Sequence, residues 1–153
     1  MLCPCHSDHL FAECCQPLLD GKTMAATPEQ LMRSRFTAYV LHNWHYLLKS
    51  WHPDSRPKCT IEELENDAKD TEWVNLEIID APEANKDHGE VEFKAWYRHD
   101  GQLQCLHERS RFIHTEEGWS YLDGAFCGKT GKIKPNESCP CGSGKKYKKC
   151  CSV

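Results

Sequence analysis

One cysteine pattern occurs twice, near either end of the chain, and it constrains the fold more than any other feature. Residues 3–15 read Cys3-Pro4-Cys5, eight residues, Cys14-Cys15, and residues 139–151 read Cys139-Pro140-Cys141, eight residues, Cys150-Cys151. The offset of 136 also superposes Ser7 on Ser143 and Phe11 on Tyr147, and six of the thirteen positions are identical. Eight of the eleven cysteines lie in these two stretches, which marks a repeated small module rather than an accident of composition.

Each module offers four sulfurs, the full complement of a tetrahedral structural zinc site. The Cys-x-Cys spacing lets a tight turn present two thiolates, and the eight-residue span can turn back to deliver the second pair. In the second copy Ser143 is the expected N-cap of a short helix over residues 145–150, with Gly142 and Gly144 supplying left-handed backbone. The first copy has His6 and Asp8 at those two positions, residue types that tolerate positive φ better than most. His6 and His9 are further candidate ligands, although four cysteines already complete a set. Two other chemistries compete. Paired disulfides fit poorly with the odd cysteine count and with the absence of room for a secretory signal before Cys3. An iron–sulfur cluster uses the same ligands, but adjacent cysteines in a compact turn suit a single ion better. The expectation is two zinc ions in a reducing cytoplasm, where clustered cysteines more often bind metal than pair.

The second module, Cys-Pro-Cys-Gly-Ser-Gly-Lys-Lys-Tyr-Lys-Lys-Cys-Cys, resembles the SEC-C zinc motif, named for the C-terminal end of the bacterial translocation motor SecA. The first is similar to a degenerate SEC-C motif with its ligand spacing intact. Between them lie Leu31-Met-Arg-Ser-Arg-Phe36-x-Ala-Tyr39 and Glu108-Arg-Ser-Arg-Phe112, and with these the whole chain resembles the bacterial YchJ family. The resemblance implies a zinc-binding protein whose middle domain is a nuclear transport factor 2-like cone, of cystatin-like α+β type. It implies no settled activity. For SecA it implies a finger that contacts a chaperone partner, phospholipid or the ribosome.

Charge separates the two modules. Residues 24–126 carry 11 Lys and Arg against 19 Asp and Glu, and residues 127–153 carry 7 against 1. The basic tail suits a protein, ribosomal or anionic surface, while the acidic body argues against broad nucleic-acid binding. Lys145, Lys146, Lys148 and Lys149 surround Tyr147, where the first copy has His9, Leu10, Ala12 and Glu13 around Phe11. The first finger is therefore expected to dock on the core and the second to face solvent. The same lysines also offset the charge of about −2 that four thiolates leave around a divalent ion.

The middle of the chain reads as helices first and strands afterwards. Thr27-Pro28-Glu29-Gln30 is a capped helix start, and Leu31, Met32, Phe36, Tyr39 and Val40 recur at helical spacing. Two further helices are expected over residues 44–51 and, behind Thr60-x-x-Glu63, over 61–69. Strands are expected over residues 73–81, 90–99, 103–115 and 119–123, with a two-residue Asp100-Gly101 hairpin turn. That order makes an α+β domain, helices packed on a curved antiparallel sheet, flanked by two zinc-knuckle modules. The expected divisions are 1–22, 23–127 and 128–153. No apolar run is long enough to span a bilayer.

The hairpin turn fixes a register in which partners sum to 201. Glu92 then faces Arg109 and Glu90 faces Arg111, as cross-strand ion pairs. Glu108 falls on the apolar face with Phe93, Ala95 and Phe112, where a carboxylate must either be hydrogen-bonded, by Ser110, Tyr39 or Arg35, or line a cavity. Cys59, Cys105 and Cys127 show no ligand spacing, and no phosphate loop or nucleophile elbow is present. The leading expectation is a cytoplasmic adaptor without enzymatic activity that binds through its basic finger at Lys145, Lys146, Tyr147, Lys148 and Lys149. The alternative is a small-molecule binder or enzyme built around Glu108, and a third reading is thiol-based metal or redox handling.

Overall fold

The structure, a computed structural model, describes residues 1–152. Four helices precede four strands: α1 Gln16–Leu19, α2 Pro28–Val40, α3 Trp44–Lys49, α4 Ile61–Ala68, then β1 Thr71–Asp80, β2 His88–His99, β3 Gln102–Thr115 and β4 Gly118–Phe126. The strands form one antiparallel meander in the order β1-β2-β3-β4. No helix among the described residues is long and apolar enough to cross a membrane.

The helix starts are set by side chains that replace missing backbone partners. Thr27 Oγ1 accepts from the Gln30 amide at 3.1 Å, and Gln30 Oε1 reaches back to the Ala26 amide at 2.8 Å, one residue before the expected Thr27. Asn43 caps α3 and Thr60 caps α4 in the same way, each at 3.1 Å. α2 ends where His42 takes φ 59°, a left-handed stop that turns the chain into α3.

α2 lies across the concave face of the sheet. Its Leu31, Met32 and Phe36 meet Leu76, Val91, Phe93, Ala95 and Phe112 in the main core. Phe36 is 2 % exposed, and truncating it to alanine would cost about 3–5 kcal/mol through lost transfer energy and a cavity. A second cluster of Ala38, Trp44 and Leu47 receives Leu19 from α1 and Leu64 from α4.

The turn at Asp100 (φ 51°) and Gly101 (φ 75°) sets the expected register of β2 against β3, including Glu92 opposite Arg109 and Phe93 opposite Glu108. One ion pair differs from expectation. A one-residue bulge at Leu122 places Asp123 of β4 opposite Arg111, so Arg111 makes two hydrogen bonds to Asp123 rather than pairing with Glu90. Arg109 takes Glu90 (3.3 Å) in addition to Glu92 (3.3 Å) and Asp80 (3.1 Å). Bulges interrupt β1 at Val74, between Trp73 and Asn75, and β4 at Leu122, between Tyr121 and Asp123, and they bend the sheet around α2.

Candidate metal centres and cone cavity

The two cysteine modules share a backbone bond for bond. In the first, the Cys3 amide donates to His9 O and the Cys14 amide to Phe11 O; in the second, Cys139 donates to Lys145 O and Cys150 to Tyr147 O. An isolated bridge pairs Leu2 with Leu10 and another pairs Ser138 with Lys146. Gly142 (φ 84°) and Gly144 (φ 83°) turn the second loop, and His6 (φ 62°) and Asp8 (φ 68°) take the same left-handed backbone in the first. The short helix expected over residues 145–150 is only a 3-10 turn at Tyr147–Lys149. The bridge to Ser138 holds Lys146 extended, so a helix has no room to begin earlier. Ser143 does not cap it: its Oγ accepts from the Lys145 amide and lies 3.3 Å from Cys150 Sγ, as Ser7 lies 3.2 Å from Cys14 Sγ.

Both quartets fit a single ion. In each, one sulfur from every cysteine lies within 4.8 Å of the others. Cys14 Sγ lies 3.6 Å from Cys5 and 3.9 Å from Cys15 in the first, and Cys150 Sγ lies 3.5 Å from Cys141 and 3.9 Å from Cys151 in the second. A tetrahedral site with metal–sulfur bonds of about 2.3 Å puts neighbouring sulfurs about 3.8 Å apart. The electrostatics also call for a cation. Hydrogen bonds from Cys15 and Cys5 pull the Cys3 thiol down, while the bonds Cys15 makes to Cys3 and Cys5, with burial, drive its own thiol up. In the second quartet burial raises Cys141, but Ser143 and the neighbouring thiols outweigh it and bring it to about 6; burial pushes Cys151 up to about 12. Four crowded sulfurs cannot all ionise unless a positive charge compensates them. His6 is committed elsewhere, since its Nε2 donates to Val74 O at 2.9 Å.

The first finger docks on α2 as expected. Cys3 Sγ lies 3.7 Å from Thr37 Oγ1, and Arg33 Nη1 donates to Cys5 O at 2.9 Å. The second finger, expected to face solvent, is instead seated on the sheet edge by its inner side. Asn75 Nδ2 donates to Pro140 O at 2.8 Å, and Arg98 Nη2 donates to Cys151 Sγ at 3.3 Å. That sulfur, with Glu72, holds Arg98 firmly charged. The bulge in β1 explains the arrangement: it presents Val74 O to the first finger and the Asn75 side chain to the second, so His6 and Gly142 come to lie beside each other. The outer side of the second finger meets the expectation, with Lys145, Lys146, Lys148 and Lys149 exposed around a half-buried Tyr147.

Between α2 and the sheet lies a partly open cavity of about 210 Å³. Phe36, Phe93 and Tyr121 are among its aromatic walls, and Arg35, Glu108 and Ser110 are among its polar groups. Glu108 combines both expected outcomes: it lines the cavity, and Ser110 Oγ donates to its Oε2 at 2.9 Å. Tyr39 and Arg35 make no hydrogen bond to it. Gly124 on β4 makes room for this carboxylate, since a Cβ there would fall 2.4 Å from Glu108 Cδ. Burial, with Glu108 nearby, pushes the Tyr121 hydroxyl up to about 12.

Two family models match the chain: the YchJ middle nuclear transport factor 2-like domain over residues 27–124 and the SEC-C motif over residues 136–152. A UPF0225 protein of Serratia proteamaculans is 43 % identical over 155 residues, covering 98 % of this chain and 97 % of that one. This chain belongs to the YchJ (UPF0225) family. A UPF0225 protein of Photorhabdus laumondii is 44 % identical, with 98 % of both chains covered. Among solved structures, a SEC-C motif-containing protein from Rhodopseudomonas palustris is similar at TM-score 0.77 and 32 % identity, over 84 % of this chain and all of that one. One from Psychrobacter arcticus is similar at TM-score 0.69 and 34 % identity, over 98 % and 94 %.

One cluster in this YchJ-family chain escapes a reading by spacing. Cys127, Glu92 and His107 lie within 4.8 Å of one another, because β4 runs beside β3 and delivers Cys127 to His107. Strand register carries the signal only with the bulge at Leu122 included, since without it Phe126 rather than Cys127 falls opposite His107. Glu92 and His107 already satisfy each other at 2.9 Å, which pulls the Glu92 carboxylate below its usual range.

Proposed function

We propose that this YchJ-family protein is a zinc-stapled cytoplasmic adaptor without enzymatic activity, whose basic C-terminal finger contacts an acidic protein or ribosomal surface. The ligands are Cys3, Cys5, Cys14 and Cys15 for one zinc ion and Cys139, Cys141, Cys150 and Cys151 for the other. Zinc suits an all-thiolate tetrahedral set, has no redox chemistry of its own and closes a structural site with four ligands. In this reading residues 1–22 and 128–153 are the zinc modules and residues 23–127 the body. The observation that carries the proposal is the two-sidedness of the second finger. Its inner side is fixed to Asn75 and Arg98, and its four lysines are left exposed on the outer side.

Replacing Lys145, Lys146, Lys148 and Lys149 by alanine together is expected to weaken co-sedimentation with purified ribosomes, or capture of an acidic partner, by about 10- to 100-fold at moderate salt. The melting temperature and zinc content should not change. Binding that survives the quadruple substitution would sink the proposal. A second role, small-molecule binding in the cone, is favoured by the placement of Glu108 in the cavity wall.

A further inference from the structure

The cone cavity contains a cation that no carboxylate touches directly, although Glu108 lies in the same cavity. Arg35 is 4 % exposed, and burial pulls its guanidinium below the usual arginine range. Two aromatic rings crowd one side of it, Cζ lying 5.1 Å from the Trp51 ring centroid and 4.6 Å from that of Tyr121, with the two rings edge to face 5.1 Å apart. Its Nη1 is occupied as well, donating to Leu47 O at 2.9 Å and to Ser50 Oγ at 2.6 Å. Nε and Nη2 make no hydrogen bond to the described residues, and among these no carboxylate oxygen lies within 4.0 Å of the group. A buried guanidinium with one free edge is costly unless an anion meets it, and its planar fork matches a carboxylate with two parallel hydrogen bonds.

The same cavity holds an acceptor of opposite sign. Glu108 Oε2 takes the Ser110 hydroxyl, and Oε1 has no hydrogen-bond partner among the described residues. Between the two polar groups the walls are flat and apolar, with Phe36, Tyr39, Trp73 and Phe93 among them. The volume of about 210 Å³ is smaller than the ~300 Å³ at which pockets for drug-sized ligands begin, and it equals the share of about seven waters. That is room for a single ring with small substituents.

We propose that the cone cavity binds a small single-ring carboxylic acid that also carries a hydrogen-bond donor, with the carboxylate on the free edge of Arg35, the donor on Glu108 and the ring against the aromatic walls. The site is separate from the basic finger and does not depend on the adaptor reading.

The test uses three probes of similar size, 4-hydroxybenzoate, benzoate and phenol, titrated into the zinc-loaded full chain and followed by tryptophan fluorescence and amide chemical shifts. 4-Hydroxybenzoate should saturate, benzoate should bind about 10-fold more weakly for want of the donor, and phenol should not saturate below about 10 mM. Glu108→Gln should reduce the advantage of the hydroxyl while retaining benzoate binding. Arg35→Gln should weaken both acids at least about 10-fold. Because Arg35 also ties α2 to α3, Ala95→Met supplies a second arm that does not depend on Arg35→Gln folding. It fills the cavity from β2, where Ala95 forms part of the wall, and should abolish binding in a chain whose circular dichroism is unchanged. The quadruple lysine variant should bind the acid as the parent does, which separates the cavity from the finger. The proposal is overturned if neither acid saturates, if phenol binds as well as the acids, or if acid binding persists in Ala95→Met.

Discussion

The first and second fingers have the same loop, the same serine-to-cysteine contact and the same sulfur spacings, yet they sit in different surroundings. In the first, Cys3, Cys5 and Cys15 are at most 4 % exposed behind Thr37 and Arg33, and the chain continues into α1, whose Leu19 enters the Trp44 cluster. In the second, Cys139 and Cys141 are buried but Cys150 and Cys151 are only half so, and the links to the body are one amide and one guanidinium. Ligand geometry is a local property of the thirteen-residue loop. How strongly a finger supports the rest of the molecule depends on what is packed behind it.

The comparison can be broken most directly by removing one ligand from each finger. Cys5→Ser is expected to destabilise the whole protein by about 4 kcal/mol, or about 10 °C in melting temperature for a chain of this size, because it frees buried neighbours as well as the ion. Cys141→Ser should cost the body less than about 1 kcal/mol while releasing one metal ion. Equal falls in melting temperature would show that the two fingers support the body alike. A milder probe is metal content by elemental mass spectrometry: the full chain should hold two zinc ions, and a chain ending at Pro135 should hold one. No zinc in the full chain would end the structural-zinc reading and favour thiol redox chemistry. The smallest effect is expected from Asn75→Ala, which removes the hydrogen bond to Pro140 O. It should cost about 1 kcal/mol and raise amide exchange at Cys139 and Gly142, leaving Cys3 protected. Uniform exchange in both fingers would remove Asn75 from the account.

What was legible in the sequence was whatever is decided within about ten residues of chain. The Cys-x-Cys and Cys-Cys spacings select one turn and one return, the caps at Thr27 and Thr60 start two helices, and Asp100-Gly101 fixes the β2–β3 register that puts Glu108 on the inner face. The expected helix in the second finger failed for a reason that also lies close in sequence, the bridge between Ser138 and Lys146.

Other features needed elements that are distant in the chain to meet. Arg111 meets Asp123 only because a bulge at Leu122 shifts β4 by one residue, which its apolar pattern does not announce. The second finger is held to the body because a bulge turns Asn75 towards it, and no residue in the finger itself announces that partner. Arg35 was legible from the sequence as one of three candidate partners of Glu108, but it becomes a buried cation with a free edge only when α2 closes over the sheet beside Glu108 and Tyr121, where Ser110 takes the partner's role. Sequence by itself determined the two cysteine quartets and the order of elements, because spacing and turn chemistry act locally. Tertiary structure decided which charges share a cavity and which finger bears on the core, because those outcomes depend on where three separate segments cross.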